Sequence, residues 1–355
     1  MFKRLIAMLA VTAVVAGGIF FYYDRTGTRT DGTYYAATGI RPDAEMLRVN
    51  GETVTAEEYF YWLDSVCEYL DSYVGGGLDF STPVTEEMTF SQYAKSDAAN
   101  TTVLYAVVRQ MAQDNGISLT DEDLAALDTQ HQQYVAYYGG EEAYALQLQI
   151  LGVTEELLRR VEEVPFLYNR MYQEYSDPAG KLYPGEEALR AYGEKNGYVT
   201  AQLLYLPTEG LDAQAAADTK LRAADYAAQL AAAADKQAVY ETLAAQLSLS
   251  TDPAGLTFCP ADSDPAVCAA VAALAPGEVS GVIEGASGCY VALRLETNYA
   301  SLTEVLFNIY LQECQDSAKV EYSDRYYRDL DAGAFYGSLC DVRIAMMQQM
   351  LEQAQ

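Results

Sequence analysis

Apolar positions recur three and four residues apart along most of the chain and two apart in only a few short stretches. From Phe60 they fall at Leu63, Val66, Cys67 and Leu70; Val103, Leu104, Val107, Val108 and Met111 share another face. Each set marks one stripe of a helix, so helices are predicted after Thr55 and over roughly Phe90 to Asn115. A further helical pattern runs from Thr154 through Val164, Phe166, Leu167 and Met171 towards Tyr175, with Pro165 inside it. A proline there predicts a kink or break. Alternation takes over from Tyr198 to Leu206, where YVTAQLLYL is rich in β-branched and aromatic residues and predicts a strand. It returns at Val279–Ile283 and from Cys289 to Leu295, around a turn at Ala286-Ser287-Gly288. Between these strands lie an alanine-rich helical stretch, Leu211 to Leu247, and a shorter helix, Pro265 to Leu274.

Cap and turn residues sharpen the boundaries. Leu47-Arg48-Val49 is extended, Asn50-Gly51 is a tight turn, and Thr55 with Glu58 forms a capping box. Thr120 caps an acidic first turn, Asp121-Glu122-Asp123, that suits the helix dipole. Gly75-Gly76-Gly77 and Gly139-Gly140 separate helices, Pro184 to Asn196 is a short helical connector, and Ser301 with Glu304 opens a helix to Cys314. Ile344 to Gln355 is a terminal helix, after an aromatic and acidic stretch from Ser317 to Tyr336. The β-α-α-β-β unit between Tyr198 and Glu296 is flanked by helical sequence on both sides and reads as an insertion.

At the amino end, Lys3-Arg4 precede an apolar run from Leu5 to Tyr23, with Phe20, Phe21, Tyr22 and Tyr23 at its exit. About 20 apolar residues span a bilayer as a helix, and the positive end stays on the cytoplasmic side. The expectation is a signal anchor over 1–23, single-pass, with the rest extracytoplasmic. Residues 24–44, rich in Thr, Gly, Asp and Arg, are expected to be a linker.

Several phrases carry a family resemblance. Val49-Asn50-Gly51-Glu52 with Thr55 and Glu58, Gly116-Ile117-Ser118-Leu119-Thr120-Asp121-Glu122, and Gly152-Val153-Thr154-Glu155-Glu156-Leu157-Leu158-Arg159 resemble the PrsA/SurA extracytoplasmic foldases. Leu274-Ala275-Pro276-Gly277-Glu278-Val279-Ser280, followed by a turn and Gly288-Cys289-Tyr290, resembles the parvulin-type peptidyl-prolyl isomerase domain. The resemblance implies an α+β protein. A mainly helical chaperone lobe would be formed by 45–197 and 298–355, with a small parvulin-like α/β domain, 198–297, inserted between them.

Prolyl isomerisation has a barrier of about 18–20 kcal/mol, set by the partial double bond of the peptide. Parvulins resemble one another in two histidines on neighbouring strands, an Asp or Cys beside them, and a Met/Phe pocket for proline. Position by position, the histidines fall on Leu203 and Tyr290, the Asp/Cys near Ser250, and the pocket phenylalanines near Val267 and Ala272. The framework is kept and every catalytic position departs from the pattern. Tyr205, Phe258, Val267, Ala272 and Tyr290 are the peptide-binding candidates. The only histidine, His131, lies in a polar helical segment outside the module and reads as a solvated surface residue.

Charge and composition narrow the partners. A formal net charge of −29 over 355 residues excludes nucleic acid, which needs clustered Lys and Arg, and favours basic unfolded clients. The 30 tyrosines suit wet recognition of peptide, and also ordinary helix packing. None of the six cysteines forms a C-x-x-C pair, so no zinc or redox motif is indicated, and no cofactor is implied. Cys259 with Cys268, and Cys67 with Cys314 or Cys340, are candidate disulfides; buried thiols fit as well. The partners read from the chain are therefore unfolded or nascent exported polypeptides, and the membrane through the amino-terminal helix. The expected function is a membrane-anchored chaperone or foldase with a catalytically degenerate isomerase module. An active isomerase and a cell-envelope scaffold with one dedicated partner are the alternatives.

Overall fold

The computed structural model describes residues 27–353. The anchor expected over 1–23 and the start of the expected linker lie outside the described residues. Among the described residues no helix is long and apolar enough to cross a membrane. Two compact units are present. One is continuous, Glu174–Asn308, and the other combines the described residues up to Gln173 with those from Ile309.

Among the described residues, the first helix of the discontinuous unit is α1 (Thr33–Thr38), inside the stretch expected to be a linker. That expectation is corrected here. Tyr34 is 1 % exposed, with its ring 5.7 Å from Phe60 and 6.1 Å from Phe335. Asp43 ties the preceding residues back by accepting from the backbone N–H groups of Thr28 and Arg29. Burial of one aromatic ring outweighs the polar composition around it.

Strands β1 (Glu45–Val49) and β2 (Glu52–Thr55) form a hairpin. Asn50 (φ 51°) and Gly51 (φ 89°) form its two-residue turn, whose positive angles match the strand twist. Helices α2 (Ala56–Tyr73) and α3 (Phe90–Asp114) pack together. Thr55 caps α2 by accepting from the Glu58 N–H. The Glu58 side chain does not complete the expected box; fully buried, it pairs with Arg109 at 2.9 Å. Helices α4 (Asp121–Tyr138), α5 (Glu141–Leu151) and α6 (Glu155–Ser176) follow. Of the kink or break expected at Pro165, the break does not occur: α6 runs on through it. Leu157, Val161, Val164, Met171 and Tyr175 are all buried at helical spacing, and their packing holds the helix through the lost hydrogen bond.

The continuous unit contains α7 (Glu186–Lys195), β3 (Val199–Pro207), α8 (Ala213–Ala232), α9 (Lys236–Gln246), β4 (Leu256–Phe258), α10 (Pro265–Ala272), β5 (Ile283–Glu284) and β6 (Gly288–Leu295). The strands form an antiparallel sheet in the order β4-β3-β6-β5. Side chains alternate between its faces. Leu204, Leu206, Val291 and Leu293 pack with Ala223, Leu230, Tyr240 and Leu243 of α8 and α9. Val199, Ala201, Phe258 and Ala292 pack with Val267, Cys268 and Val271 of α10 on the other face. The strand expected over Val279–Ile283 shrinks to β5 and a single bridge, Val279 to Leu293. The Ser280 hydroxyl accepts the Ala292 N–H at 2.8 Å, a side-chain substitute for a ladder bond.

The chain returns to the discontinuous unit through a 3₁₀ turn (Tyr299–Leu302) and α11 (Thr303–Asp316). Ser301 therefore belongs to the turn, where its hydroxyl donates to Asn298 O, and does not open the helix. Strand β7 (Val320–Tyr322) then pairs with β1, Leu47 opposite Tyr322, giving the sheet order β2-β1-β7. Helix α12 (Ala332–Gln353) starts earlier than the expected Ile344. It stacks Phe335 on Phe60 at 5.0 Å and pairs Arg343 with buried Asp64. The discontinuous unit is thus assembled from segments that precede and follow the continuous unit in sequence.

Candidate functional site

The α10 face of the second sheet opens into a cleft of about 540 Å³, lined by Leu203, Leu256, Thr257, Phe258, Asp262, Ser263, Asp264, Val267 and Tyr290. Its base follows from strand register. Tyr205 lies opposite Tyr290 and Leu203 opposite Ala292, and cross-strand partners share a face. The Tyr205 and Tyr290 rings are 4.9 Å apart.

The turn before β6 brings its backbone against these rings. A Cβ on Gly288 would lie 2.7 Å from the Tyr205 ring and 2.4 Å from Leu206 O. A Cβ on Gly285 would lie 2.8 Å from the Tyr290 ring and 2.6 Å from Asp264 Oδ2. Glycine is required at both positions for this close approach. Ser287 joins the two tyrosines: its carbonyl accepts from Tyr205 Oη at 3.1 Å, and its hydroxyl is 3.2 Å from Tyr290 Oη.

The other wall is the start of α10. Asp264 caps that helix, accepting from the Ala266 N–H at 2.8 Å, with Pro265 at the first helical position. Its second oxygen accepts from the Ala286 N–H at 2.7 Å, across the cleft's edge. These backbone hydrogen bonds, Ala286 first, hold its carboxyl below the usual carboxylate range. Asp262 accepts from the Cys259 N–H at 3.0 Å.

Of the candidates read from the sequence, Leu203, Phe258, Val267 and Tyr290 line this cleft, and Tyr205 lies beside it against the Tyr290 ring. Ala272 is exposed and Ser250 does not line the cleft. The carbonyl of Ser250 accepts from Tyr240 Oη at 3.1 Å, on the α9 side of the sheet. Leu256, Thr257, Asp262, Ser263 and Asp264 were not among the sequence candidates. The Asp264-Pro265 step, a helix cap followed by a first-turn proline, was the legible signal for that wall.

His131 is half-buried and not a free surface residue. Its ring stands edge-on to Tyr144 at 5.2 Å, with Nδ1 3.7 Å from Glu155, in a small hollow of the discontinuous unit. The candidate disulfides do not form: Cys67, Cys259, Cys268, Cys314 and Cys340 are free thiols. Burial pushes the thiols of Cys67, Cys268 and Cys340 up, which keeps them protonated and unreactive. Among the described residues no group of three or more His, Cys, Asp or Glu side chains could hold a metal.

Residues 186–305 match the family model of the PPIC-type PPIase domain. This segment is a parvulin-type domain. It takes in α7, the whole sheet with its helices, and the 3₁₀ turn. Solved structures with some likeness to the chain include foldase protein PrsA from Streptococcus pneumoniae, at 17 % identity, covering 84 % of this chain and 93 % of that one, TM-score 0.28. PrsA from Bacillus subtilis is 14 % identical, covering 74 % and 92 %, TM-score 0.27. A SurA-like chaperone of Campylobacter jejuni is 13 % identical, covering 79 % and 99 %, TM-score 0.25. At such scores the likeness carries no weight for mechanism. No curated protein matches the chain. In the parvulin-type domain, the strand positions where the resemblance expects imidazoles hold Leu203 and Tyr290, and the domain contains no histidine.

Proposed function

We propose that this chain is an extracytoplasmic folding factor, held at the membrane by its amino-terminal segment, that binds unfolded exported polypeptide. Its parvulin-type domain holds an apolar or prolyl segment in the cleft without catalysing isomerisation.

The observation that carries this reading is the pairing of an intact apolar cleft with Leu203 and Tyr290 at its base. Binding a peptide needs a concave apolar surface and a few polar groups, and the cleft supplies both. Catalysis needs groups that favour the twisted amide over the planar one. The Leu203 side chain has neither donor nor acceptor, and the Tyr290 hydroxyl is within hydrogen-bond distance of Ser287.

The test uses the full chain and an unfolded, aggregation-prone client. The chain slows aggregation at stoichiometric ratio, and Tyr290→Ala weakens that protection. No protection at excess chain overturns the reading.

A further inference from the structure

The cleft is charged on one side only. Leu203, Leu256, Phe258 and Val267 are apolar; Asp262 and Asp264 stand on one wall, and no Lys or Arg lines the cleft. Asp264 cannot swing away, because each of its oxygens is held by a different backbone N–H, one from α10 and one from the β5–β6 turn. Asp262 is anchored by the Cys259 N–H. Two fixed carboxylates beside an apolar floor focus a negative potential on whatever lies next to the bound side chain.

We propose that this wall selects client segments in which a Lys or Arg neighbours the apolar or prolyl residue held in the cleft. The proposal rests on the reading of the cleft as a peptide site. It assigns the selection to Asp262 and Asp264, and not to the general acidity of the chain. Both carboxylates are at least partly exposed, so each pairing contributes modestly. Together they give about a tenfold preference for Lys over Glu at low ionic strength. Salt weakens that preference, because exposed pairs are screened.

The full chain is titrated with labelled peptides identical except for the residue after proline, which is Lys, Gln or Glu. The expected order of affinity is Lys, then Gln, then Glu, and Tyr290→Ala weakens all three. Asp262→Asn keeps an oxygen for the Cys259 N–H while removing the charge, and it cuts the Lys-to-Glu ratio to about threefold. Equal affinities for the three peptides, all sensitive to Tyr290→Ala, overturn the charge selection and leave the cleft reading standing. A Lys preference that Asp262→Asn leaves unchanged, in a variant that still binds, also overturns it. Failure of every peptide to bind overturns both.

Discussion

Tyr205 and Tyr290, opposite each other on neighbouring strands, hold their rings tilted with centroids 4.9 Å apart, and both reach Ser287. Tyr205, beside the cleft, backs the Tyr290 ring at one end of the cleft floor. Tyr290 lines the cleft itself. Removing its ring takes away apolar contact area that costs about 1–2 kcal/mol of peptide binding. Tyr290→Ala is expected to weaken peptide affinity by about tenfold, and Tyr290→Phe by less than about threefold, since only one hydroxyl contact is lost. Fluorescence anisotropy of a labelled peptide measures both, with circular dichroism to show that the domain remains folded.

In the discontinuous unit, Glu58 is fully buried and is matched by Arg109 at 2.9 Å. Arg109→Met leaves that carboxylate without its closest partner, which costs about 3–5 kcal/mol. The double variant Glu58→Gln with Arg109→Met recovers most of the loss. Trp62, the only tryptophan, packs 4.5 Å from Tyr105 in this unit, so its fluorescence during urea unfolding reports the effect.

Asp123 receives two bonds from Arg170, at 2.7 and 2.9 Å, and completes the capping box with Thr120. The Arg170 hydrogen bonds hold its folded pKa well below the ordinary 3.8. The lowered value means that its contribution is complete above the ordinary pKa and is lost as pH falls through the folded one. Asp123→Asn is expected to lower the melting temperature of this unit at neutral pH by about 2–4 °C. The gap from wild type should narrow as the solution is acidified below the ordinary pKa. Thermal melts followed by Trp62 fluorescence across that range check both statements.

Tyr34 makes a similar demand on the amino-terminal segment. Its ring is buried between Phe60 and Phe335, one from each arm of the discontinuous unit. Tyr34→Ala opens a cavity worth about 3–5 kcal/mol. The expected result is a lower urea midpoint in the Trp62 signal, and faster hydrogen exchange in α2 and α12 but not in the parvulin-type domain. An unchanged midpoint would return residues 27–44 to the role of a free tether.

What could be read from the sequence was mostly local. The alternation of β3 and β6, the Asn50-Gly51 turn and the caps at Thr55 and Thr120 each depend on a few neighbouring residues. Their physics is written within one turn of chain. The pairing of β7 with β1 joins Tyr322 to Leu47 and has no local signature in three residues of mixed polarity. Tyr34 sat in a polar stretch that read as linker, and only its distant partners show why it is buried. Pro165 signalled a kink or a break, and buried residues on both sides of it keep the helix from breaking. In the cleft, Leu203 and Tyr290 were legible through the family resemblance, which maps its two histidine positions onto them, and strand register then puts them on one face. The Asp264-Pro265 step marks a helix start but not a cleft wall; the Ala286 N–H that fixes Asp264 at the cleft is brought there by the fold, so this wall was missed.

The most direct test of the central claim is the exchange rate between cis and trans forms of a prolyl peptide, followed by NMR with the full chain present. Peptide signals should broaden through binding, while the exchange rate stays at that of the peptide alone. Accelerated exchange that disappears in Tyr290→Phe would contradict the account.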